Sequence, residues 1–431
     1  MDGPEHPVRP EPRGTPPARP GRRSRGELRR LRIWLVSQSY LPYYGGITEH
    51  AWHLTAHLAR RGHEVRLITG RPLRAAHPGD DPDPPGVTIM RTGRTLRIPS
   101  HGARACVTLG PRGPLSPEPL APPDILHLQS PLEPFLPLWA LHHLPGLKIG
   151  TFHTGGNRPH WGYRYLARWL ERSARRLQLR LAISREAARF VSRHLPGRYR
   201  VIPNGVDLDR FSGIAGQGGK PEPPRRDRAR VLFVGRLDPR KGLWPLLRAM
   251  AGIAADGVRG APPAELIIVG DGPLRPQLTR YIKERGLPVI MAGAVPRARL
   301  ASYYRAADLF VAPATDGESC GVTLLEALAA GLPIVASDLP GYRETLGPDP
   351  GGLFCTPGSD RNLHAALTAL LTDPARRRRL AAAGRRRAQR FGWTRIAAEI
   401  EALYYEALAE AEAKGLGSVE CEPRAKSRLS Y

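Results

Sequence analysis

Short apolar runs alternate with helical patterns twice along this chain, and this alternation limits its fold more than any other feature of the sequence. The first series begins at Leu31–Val36 and the second at Arg230–Val234. A stretch rich in Gly, Pro and Arg, residues 212–228, separates them and is typical of a linker. Strands that alternate with helices favour a mostly parallel sheet covered on both faces. We therefore predict an α/β protein with two Rossmann-like, doubly wound domains that face a central cleft.

The domain boundaries follow from the same pattern. We expect a first domain over residues 31–211 and a second over 229–392, joined by the linker. A long amphipathic helix begins at Trp393. The Pro- and Arg-rich residues 1–30 are predicted to be disordered, and residues 413–431 to form a loose tail. With 431 residues the chain is long enough for two domains with a sizeable core.

Charge is the most unusual compositional feature. The formal net charge is +26, and nearly all of the 65 basic residues are arginines. A compositional bias towards Arg explains this as well as an anionic partner does, and such a partner would be a nucleotide phosphate, an acidic membrane surface or nucleic acid. No zinc finger, ribonucleoprotein motif or basic zipper supports binding of nucleic acid, so we expect none.

The cysteines and the apolar windows indicate the compartment. The cysteines are scattered without a C-x-x-C pair, so neither a zinc site nor a disulfide framework is indicated. No window reaches the length of an apolar membrane span, and the N-terminus lacks a secretory apolar run. We therefore expect a cytoplasmic protein. The four cysteines are Cys106, Cys320, Cys355 and Cys421.

Two carboxylates flank one strand-to-helix turn in the second series. Glu318 precedes the turn, and Glu326 lies inside an otherwise apolar helix predicted over Val322–Ala330. A carboxylate is rarely buried in such a helix unless something pairs with it. A strand end, a Gly turn and a helix start also form a favoured ligand crevice in an open α/β sheet.

A second pattern at strand ends is cationic and rich in glycine. A buried strand delivers Gly235 and Arg236 to its carboxyl end, and Lys241 follows just before a helix. Two cations beside open backbone amides can hold a diphosphate. Ordinary surface cations without a ligand would give the same sequence pattern. The next strand ends in Gly270-Asp271-Gly272-Pro273, which by itself is weak evidence for a ligand turn.

Three further segments in the first series end in polar or glycine residues. Gly45-Gly46 lies ahead of a helix and could bring N–H groups up to a phosphate, but paired glycines also form plain turns. His153 ends a strand, where it could donate a hydrogen bond or carry positive charge near phosphate or sugar, or be structural. Ile202–Asp207 contains an Asn-Gly turn for which a structural role is equally consistent.

Two negatives narrow the chemistry. Asp81-Pro82-Asp83 is formally an Asp-x-Asp, but its loop context favours a solvated loop over a metal site. Neither an H-E-x-x-H helix nor a phosphate-binding G-x-x-x-x-G-K-[ST] loop nor a G-x-S-x-G elbow occurs.

Taken together, these segments resemble the family-4 retaining glycosyltransferases of the GT-B fold. Among the members of that family they are most similar to the phosphatidylinositol mannosyltransferases. The resemblance runs from about residue 31 to 405. The narrower match rests on Phe152-His153-Thr154 and on Ile98-Pro99, Gly102 and Leu109-Gly110-Pro111. The matching segments, besides these, are Gly45-Gly46, Ile202–Asp207, Gly235-Arg236, Arg240-Lys241-Gly242, Gly270–Pro273, Glu318–Glu326 and Ala329–Ala336.

The resemblance implies a role for each candidate. Glu326 would hold the ribose hydroxyls of the nucleotide. Arg236 and Lys241 would bind the diphosphate and stabilise the leaving group, and His153 would contact the sugar at the reaction centre. Glu318 would hold the donor sugar and belongs with those three to the predicted catalytic set. Further donor contacts would come from Gly46, Gly235, Gly270, Cys320, Gly321 and Val322.

The resemblance also implies the reaction and its partners. It would be transfer of a hexose of the mannose or glucose type from a GDP- or UDP-sugar to a lipid or glycan acceptor, with no cofactor and no metal required. The helix over residues 393–412 would return to the first domain. A nucleotide-sugar epimerase of the same fold, or a non-catalytic membrane adaptor that binds sugar nucleotides, are the alternatives.

Two features of the sequence depart from the pattern of the family. Cys320 lies where the family usually has Phe, so the wall beside the donor sugar is expected to differ, and the short Pro-rich segment 113–123 puts an inositol-lipid acceptor in doubt.

A helix predicted over Trp161–Leu177 carries Arg164, Arg168, Arg172 and Arg175 at helical spacing, with Leu166, Trp169, Leu170 and Leu177 on another face. It could lie on the inner face of an anionic membrane or simply pack on its own sheet.

Overall fold

The computed structural model describes residues 29–73, 81–100, 103–110, 120–155, 166–213, 228–257, 260–348 and 351–415. Its architecture is two sheets, of eight and six strands, with helices packed on them. Contacts join the chain from Leu31 onward into one unit. The α/β prediction is therefore confirmed.

The first sheet has the strand order β4-β3-β2-β1-β5-β6-β7-β8. All its neighbours are parallel except β3 and β4. The strands are β1 (Arg32–Val36), β2 (Glu64–Pro72), β3 (Val87–Ser100), β4 (Ala103–Leu109), β5 (Ile125–Gln129), β6 (Leu147–Phe152), β7 (Leu179–Ala182) and β8 (Arg200–Val201). The described helices of this part are α1 (Gly46–Arg60), α2 (Leu136–His143), α3 (Ala167–Ala174), α4 (Arg185–Ser192) and α5 (Leu208–Ser212).

The second sheet is wholly parallel, with the order β11-β10-β9-β12-β13-β14. Its strands are β9 (Ala229–Val234), β10 (Ala264–Val269), β11 (Val289–Gly293), β12 (Leu309–Ala312), β13 (Ile334–Ser337) and β14 (Gly352–Cys355). The helices are α6 (Leu243–Asp256), α7 (Arg275–Glu284), α8 (Arg297–Ala306), α9 (Val322–Ala330), α10 (Pro340–Leu346), α11 (Asp360–Leu371), α12 (Pro374–Ala388) and α13 (Trp393–Ala413).

Alternation along each central strand places a core on both faces of its sheet. In β9, Val231 and Phe233 face one cluster and Leu232 the other. In β1, Ile33 and Trp34 divide in the same way. Strands buried on both faces explain why the sequence shows continuous apolar runs and not alternation with polar residues.

The final helix packs against the first sheet although it follows the second. Trp393, Ile396, Ile400 and Tyr404 of α13 are buried in one cluster with residues of β1 and α1. The crossing is pinned where Val206 donates to the carbonyl of Phe391 at 2.7 Å. The Asn-Gly turn has a packing role here, because a Cβ at residue 205 would lie 2.4 Å from the Trp393 ring.

The structure differs from the sequence predictions at three polar elements. The apolar run Val87–Met90 predicts a short strand, but β3 continues to Ser100 and pairs with β4; residues 91–100 are rich in Arg and Thr and so give little apolar signal. Helix α12 was not predicted, because its buried residues are only Ala and Gly and mark no apolar stripe. The helix predicted at Trp161–Leu177 spans only Ala167–Ala174 among the described residues, and Arg164 lies outside them. No described helix combines the length and the apolar character needed to cross a bilayer.

Candidate functional site

The predicted residues gather at the two topological switch points. In the second sheet the strand order reverses between β9 and β12, and in the first between β1 and β5. The loops after these strands carry Arg236, Lys241, Glu318 and Gly45-Gly46, and Gln129 is the last residue of β5. Carboxyl ends of strands at a switch point are the usual ligand crevice of an open α/β sheet.

Two uncapped helix N-termini approach one another in this crevice. Helix α1 begins at Gly46 and α9 at Val322, and neither N-cap residue, Gly45 or Gly321, provides a side-chain hydrogen bond. A Cβ placed on Gly46 would lie 3.5 Å from Cγ2 of Val322, so the two helix starts are in near contact. Free N–H groups at a helix start attract anions, and here two helix starts lie next to each other.

The predicted cations are held by carboxylates of the same part of the chain. Nζ of Lys241 lies 2.5 Å from Oε1 of Glu318 and joins the loop after β9 to the loop after β12. Arg236 lies 3.3 Å from a carboxylate oxygen of Asp238, which is fully buried and caps the turn Pro239–Lys241. The side chain of Arg236 is 45% exposed, so it is accessible to a ligand. Asp238 was missed in the sequence, although Asp before Pro is a recognisable cap signal.

Close backbone contact explains the glycines after β9 and β10. Gly270 has φ +134°, and a Cβ there would lie 1.9 Å from the carbonyl oxygen of Gly235. No other residue fits this position without moving the backbone. Gly270 thus lets two adjacent strand ends meet beside Arg236, and its role is structural in the observed geometry.

Glu326 is a buried carboxyl group with a single neutral donor recorded beside it. Its side chain is buried in α9, and the hydroxyl of Tyr304 donates to its Oε2 at 2.6 Å. Burial raises the pKa of Glu326 from 4.5 to about 7, although the Tyr304 hydrogen bond opposes the shift. A carboxylate placed to accept hydrogen bonds is therefore half protonated near neutral pH in this structure.

The pH dependence of ligand binding follows from this shift. The ionised carboxylate is a stronger hydrogen-bond acceptor than the neutral acid, so the affinity for a ligand whose hydroxyl groups donate to Glu326 should rise as the pH increases through about 7, and binding near that pH should release a fraction of a proton. Protonation favours the folded state because the folded pKa lies above the unfolded one. The free energy of unfolding should therefore fall between about pH 4.5 and 7, by roughly 3 kcal/mol. Calorimetry in buffers of different ionisation heat measures the proton release; a pH-independent affinity from pH 6 to 8 would contradict it.

His153 is buried and neutral. Its Nε2 lies 2.6 Å from Oε1 of Gln129, and its ring meets that of His50 edge-to-face at 5.1 Å. Burial, assisted by His50 and His127, holds the pKa of His153 well below 6.5. Of the roles open to His153, burial therefore favours that of a neutral hydrogen-bonding ring in this structure. Gln129 was missed; its one signal is a polar residue at the end of a buried strand.

The loop from Glu318 to Gly321 contacts the first-sheet residues directly. The hydroxyl of Ser319 donates to the carbonyl of His153 at 3.0 Å. The Cys320 thiol is buried, receives a hydrogen bond from the Thr345 hydroxyl at 3.7 Å, and has its pKa raised by burial to about 11. Cys320 therefore anchors the loop on α10 as a neutral thiol.

Arg297, at the start of α8, makes a second contact, with side chains of α1. Its guanidinium lies 3.1 Å from Glu49 and 3.7 Å from the centre of the Trp52 ring. Asp81 accepts a hydrogen bond from the backbone N–H of Arg297 at 3.0 Å. The Asp-Pro-Asp loop, predicted to be solvated, thus caps a helix through Asp81. In the described ranges no three His, Cys, Asp or Glu side chains are grouped as a metal site would need.

Comparison with known proteins agrees with this geometry. Residues 44–210 match the family described as Glycosyltransferase Family 4, and residues 220–387 match Glycosyl transferases group 1. The chain is 31% identical to a phosphatidyl-myo-inositol mannosyltransferase of Mycobacterium leprae, with 87% of this chain and 96% of the relative covered. It is 30% identical to a GDP-mannose-dependent alpha-mannosyltransferase of Mycolicibacterium smegmatis, with 88% and 98% covered. A sucrose-phosphate synthase from Thermosynechococcus elongatus shares the fold, with a TM-score of 0.67, 23% identity, and 88% and 100% covered.

Proposed function

The chain belongs to the family-4 glycosyltransferases, retaining hexosyltransferases of the GT-B fold that use a nucleotide-sugar donor, and we propose that it transfers mannose from GDP-mannose to a hydroxyl group of a lipid acceptor. The proposed donor is the one on which the Mycolicibacterium smegmatis alpha-mannosyltransferase depends. The observation that carries the proposal is the pairing of Lys241 with Glu318 at the switch point of the second sheet, beside two open helix starts.

Each part of the donor has a group of matching chemistry in the crevice. The diphosphate would replace Glu318 as partner of Lys241 and gain Arg236 and the N–H groups at Gly46 and Val322. Once released from Lys241, Glu318 can accept hydrogen bonds from sugar hydroxyls. Glu326 would accept from the ribose diol. In this arrangement His153 contacts the sugar as a neutral ring.

Departure of the nucleotide diphosphate places negative charge on the phosphate oxygens. In the proposed complex Lys241, Arg236 and the two helix starts already surround the diphosphate, so they would stabilise this charge with no further rearrangement at the reaction step. Retention of configuration fits a leaving phosphate that helps to deprotonate the attacking hydroxyl on the same face of the sugar. The groups named in the crevice then bind and orient, and no side chain is required as the nucleophile.

The lipid acceptor is supported by the distribution of exposed apolar side chains. Among the described residues, eight large hydrophobic side chains are exposed, and seven of them belong to the part of the chain that forms the first sheet. The exception is Ile290. The seven are Tyr44, Leu73, Ile98, Leu109, Phe135, Leu166 and Trp169.

Helix α3 combines two of these side chains with basic residues. Leu166 and Trp169 are exposed beside exposed Arg168 and Arg172, whereas Leu170 and Leu177, predicted to share their face, are buried in the core. An anionic membrane attracts such a surface by charge and by insertion of the aromatic ring. This surface is the reason to place the enzyme peripherally on an acidic membrane.

We expect Trp169→Ala combined with Arg172→Glu to reduce co-sedimentation with vesicles of 30% anionic lipid at low salt by about tenfold, since each basic residue near such a surface contributes about 1 kcal/mol. Ile290→Ala is the matched control, because it removes an exposed apolar side chain from the second sheet. Equal loss in both variants, or no binding by the unmodified protein, would contradict the membrane assignment.

A panel of nucleotide sugars tests the donor. GDP-mannose should give the largest thermal shift and the fastest release of free nucleoside diphosphate, and release should accelerate with a lipid extract that contains hydroxylated head groups. A preference for UDP-glucose would overturn the proposed donor, while the assignment as a glycosyltransferase would still hold. Interconversion of two nucleotide sugars without release of nucleotide would indicate an epimerase instead.

A further inference from the structure

We infer that Gln129 is a positioning residue that holds His153 as the neutral Nε2–H tautomer, so that Nδ1 of His153 accepts a hydrogen bond from a sugar hydroxyl. The inference deepens the proposed function and rests on it for the contact between His153 and the sugar. The tautomer itself follows from contacts within the protein.

The inferred direction of the hydrogen bond follows from the orientation of the Gln129 amide. Gln129 is the last residue of β5, and its register partner on β6 is Thr151, two residues before His153. Oε1 of Gln129 lies 2.6 Å from Nε2 of His153. With the amide in this orientation its oxygen can only accept, so Nε2 would carry the hydrogen and the lone pair of the neutral ring would be on Nδ1.

The ionisable groups around His153 leave the ring neutral. His50 on α1 and His127 on β5 are buried, and burial lowers their pKa values to about 4 and about 3. Two carboxylates are nearby, and before the donor binds each has a cationic partner; in the proposed complex Glu318 accepts hydrogen bonds from sugar hydroxyls instead. Glu318, next to Ser319, pairs with Lys241, and Glu186 on α4, near Gly155, lies 3.3 Å from Arg189.

A comparison with His127 separates a positioned ring from a structural one. Both nitrogens of His127 are bonded within the core, Nδ1 to the Tyr404 hydroxyl at 2.6 Å and Nε2 to the Thr151 hydroxyl at 2.7 Å. In the described ranges, His153 has a recorded hydrogen bond only at Nε2. One ring nitrogen therefore remains for a ligand, and Gln129 decides that this nitrogen is an acceptor.

The buried amide of Gln129 costs stability, and its packing does not explain that cost. The residue is 1% exposed, and its Nε2 has no hydrogen-bond partner among the described residues. A buried unsatisfied donor destabilises a fold by about 1–3 kcal/mol, and an apolar side chain of the same size would avoid this. The amide oxygen, which bonds to His153, is thus the functional end of the Gln129 side chain.

Nitrogen-15 NMR of the imidazoles tests the tautomer without any substrate. The unmodified protein should show His153, assigned by its loss in His153→Gln, protonated at Nε2 and without titration from pH 6 to 8. An Nδ1–H tautomer, which would follow if the amide were oriented the other way, or a protonation midpoint in this range would overturn the inference.

The pH profile of turnover tests the function of the tautomer, with release of GDP from GDP-mannose as the measured signal. The unmodified protein should have a kcat that is independent of His153 ionisation from pH 6 to 8. In Gln129→Glu the new carboxylate stabilises the imidazolium. Its kcat at pH 6 should be at least tenfold below its own value at pH 8. A wild-type profile, or a loss that is equal at all pH values, would show that Gln129 has only a structural role.

Two further variants keep the result decisive. Gln129→Leu should lower kcat with little change in KM, and the loss of kcat should be the same at every pH. Thr151→Val is the matched structural control, because it removes a buried hydrogen bond to His127 on the same strands and should lower the melting temperature without changing the pH profile. If no nucleotide sugar is turned over, the proposed function fails, while the NMR measurement still decides the tautomer.

Discussion

Lys241→Ala should lower kcat by about 10²–10³-fold, the loss typical when one preorganised donor to a developing negative charge is removed. Lys241 is the cation that lies at the switch point of the second sheet, 2.5 Å from Glu318. Its ammonium group would face the phosphate oxygens as the nucleotide leaves, so the effect should fall on kcat more than on the KM of the donor. Steady-state release of nucleoside diphosphate measures both constants.

A matched control separates this role from general loss of positive charge. Arg248 on α6 follows the same loop, is exposed and pairs with Asp360 at 2.7 Å on the surface. Arg248→Ala removes the same charge from the same segment, and exposed pairs contribute little to stability. Equal rates for Lys241→Ala and Arg248→Ala would refute the assignment of the diphosphate site.

Glu326→Gln should weaken nucleotide binding by about 10–100-fold, because a hydrogen bond to a charged group contributes about 1.5–3 kcal/mol and the neutral amide offers less. The substitution preserves the volume of a side chain that is buried in α9, so the fold should be retained. Titration calorimetry with GDP measures the loss directly. The proton release predicted near pH 7 should vanish with it, since the titrating group is gone.

Tyr304→Phe distinguishes loss of the carboxylate from loss of its hydrogen bond. The Tyr304 hydroxyl lowers the pKa of Glu326 against the effect of burial. Without it that pKa should rise, and the pH dependence of GDP binding should move to higher pH while the affinity recovers in alkaline buffer. If Glu326→Gln and Tyr304→Phe gave the same pH-independent loss, Glu326 would be a packing residue and not a ribose ligand.

The sequence predicted the parts of the site that depend on strand ends and helix starts. The helix over Val322–Ala330 and the strand ends before Gly235 and Gly270 lie where the patterns placed them. These elements are signalled by continuous apolar runs and glycine, which are local properties. The same reasoning gave the two-sheet fold.

The partners of the predicted residues could not be read from the sequence. Lys241 and Glu318 are 77 residues apart, and Gln129, at the end of β5, is 24 residues from His153, which follows β6. Such pairs arise from the strand order, in which β9 meets β12 and β5 meets β6. The charge state of His153 depends on burial by both parts of the chain, so no local pattern could have corrected it.

The position of α13 has a consequence for biosynthesis. The first sheet is complete in sequence by residue 201, yet its core includes Trp393, Ile396 and Tyr404. A ribosome must therefore synthesise the whole second sheet before that apolar surface can be covered. At about 5–20 residues per second, the nascent first half waits on the order of ten seconds or more with this face open. A chaperone that recognises exposed apolar surface has that interval in which to bind.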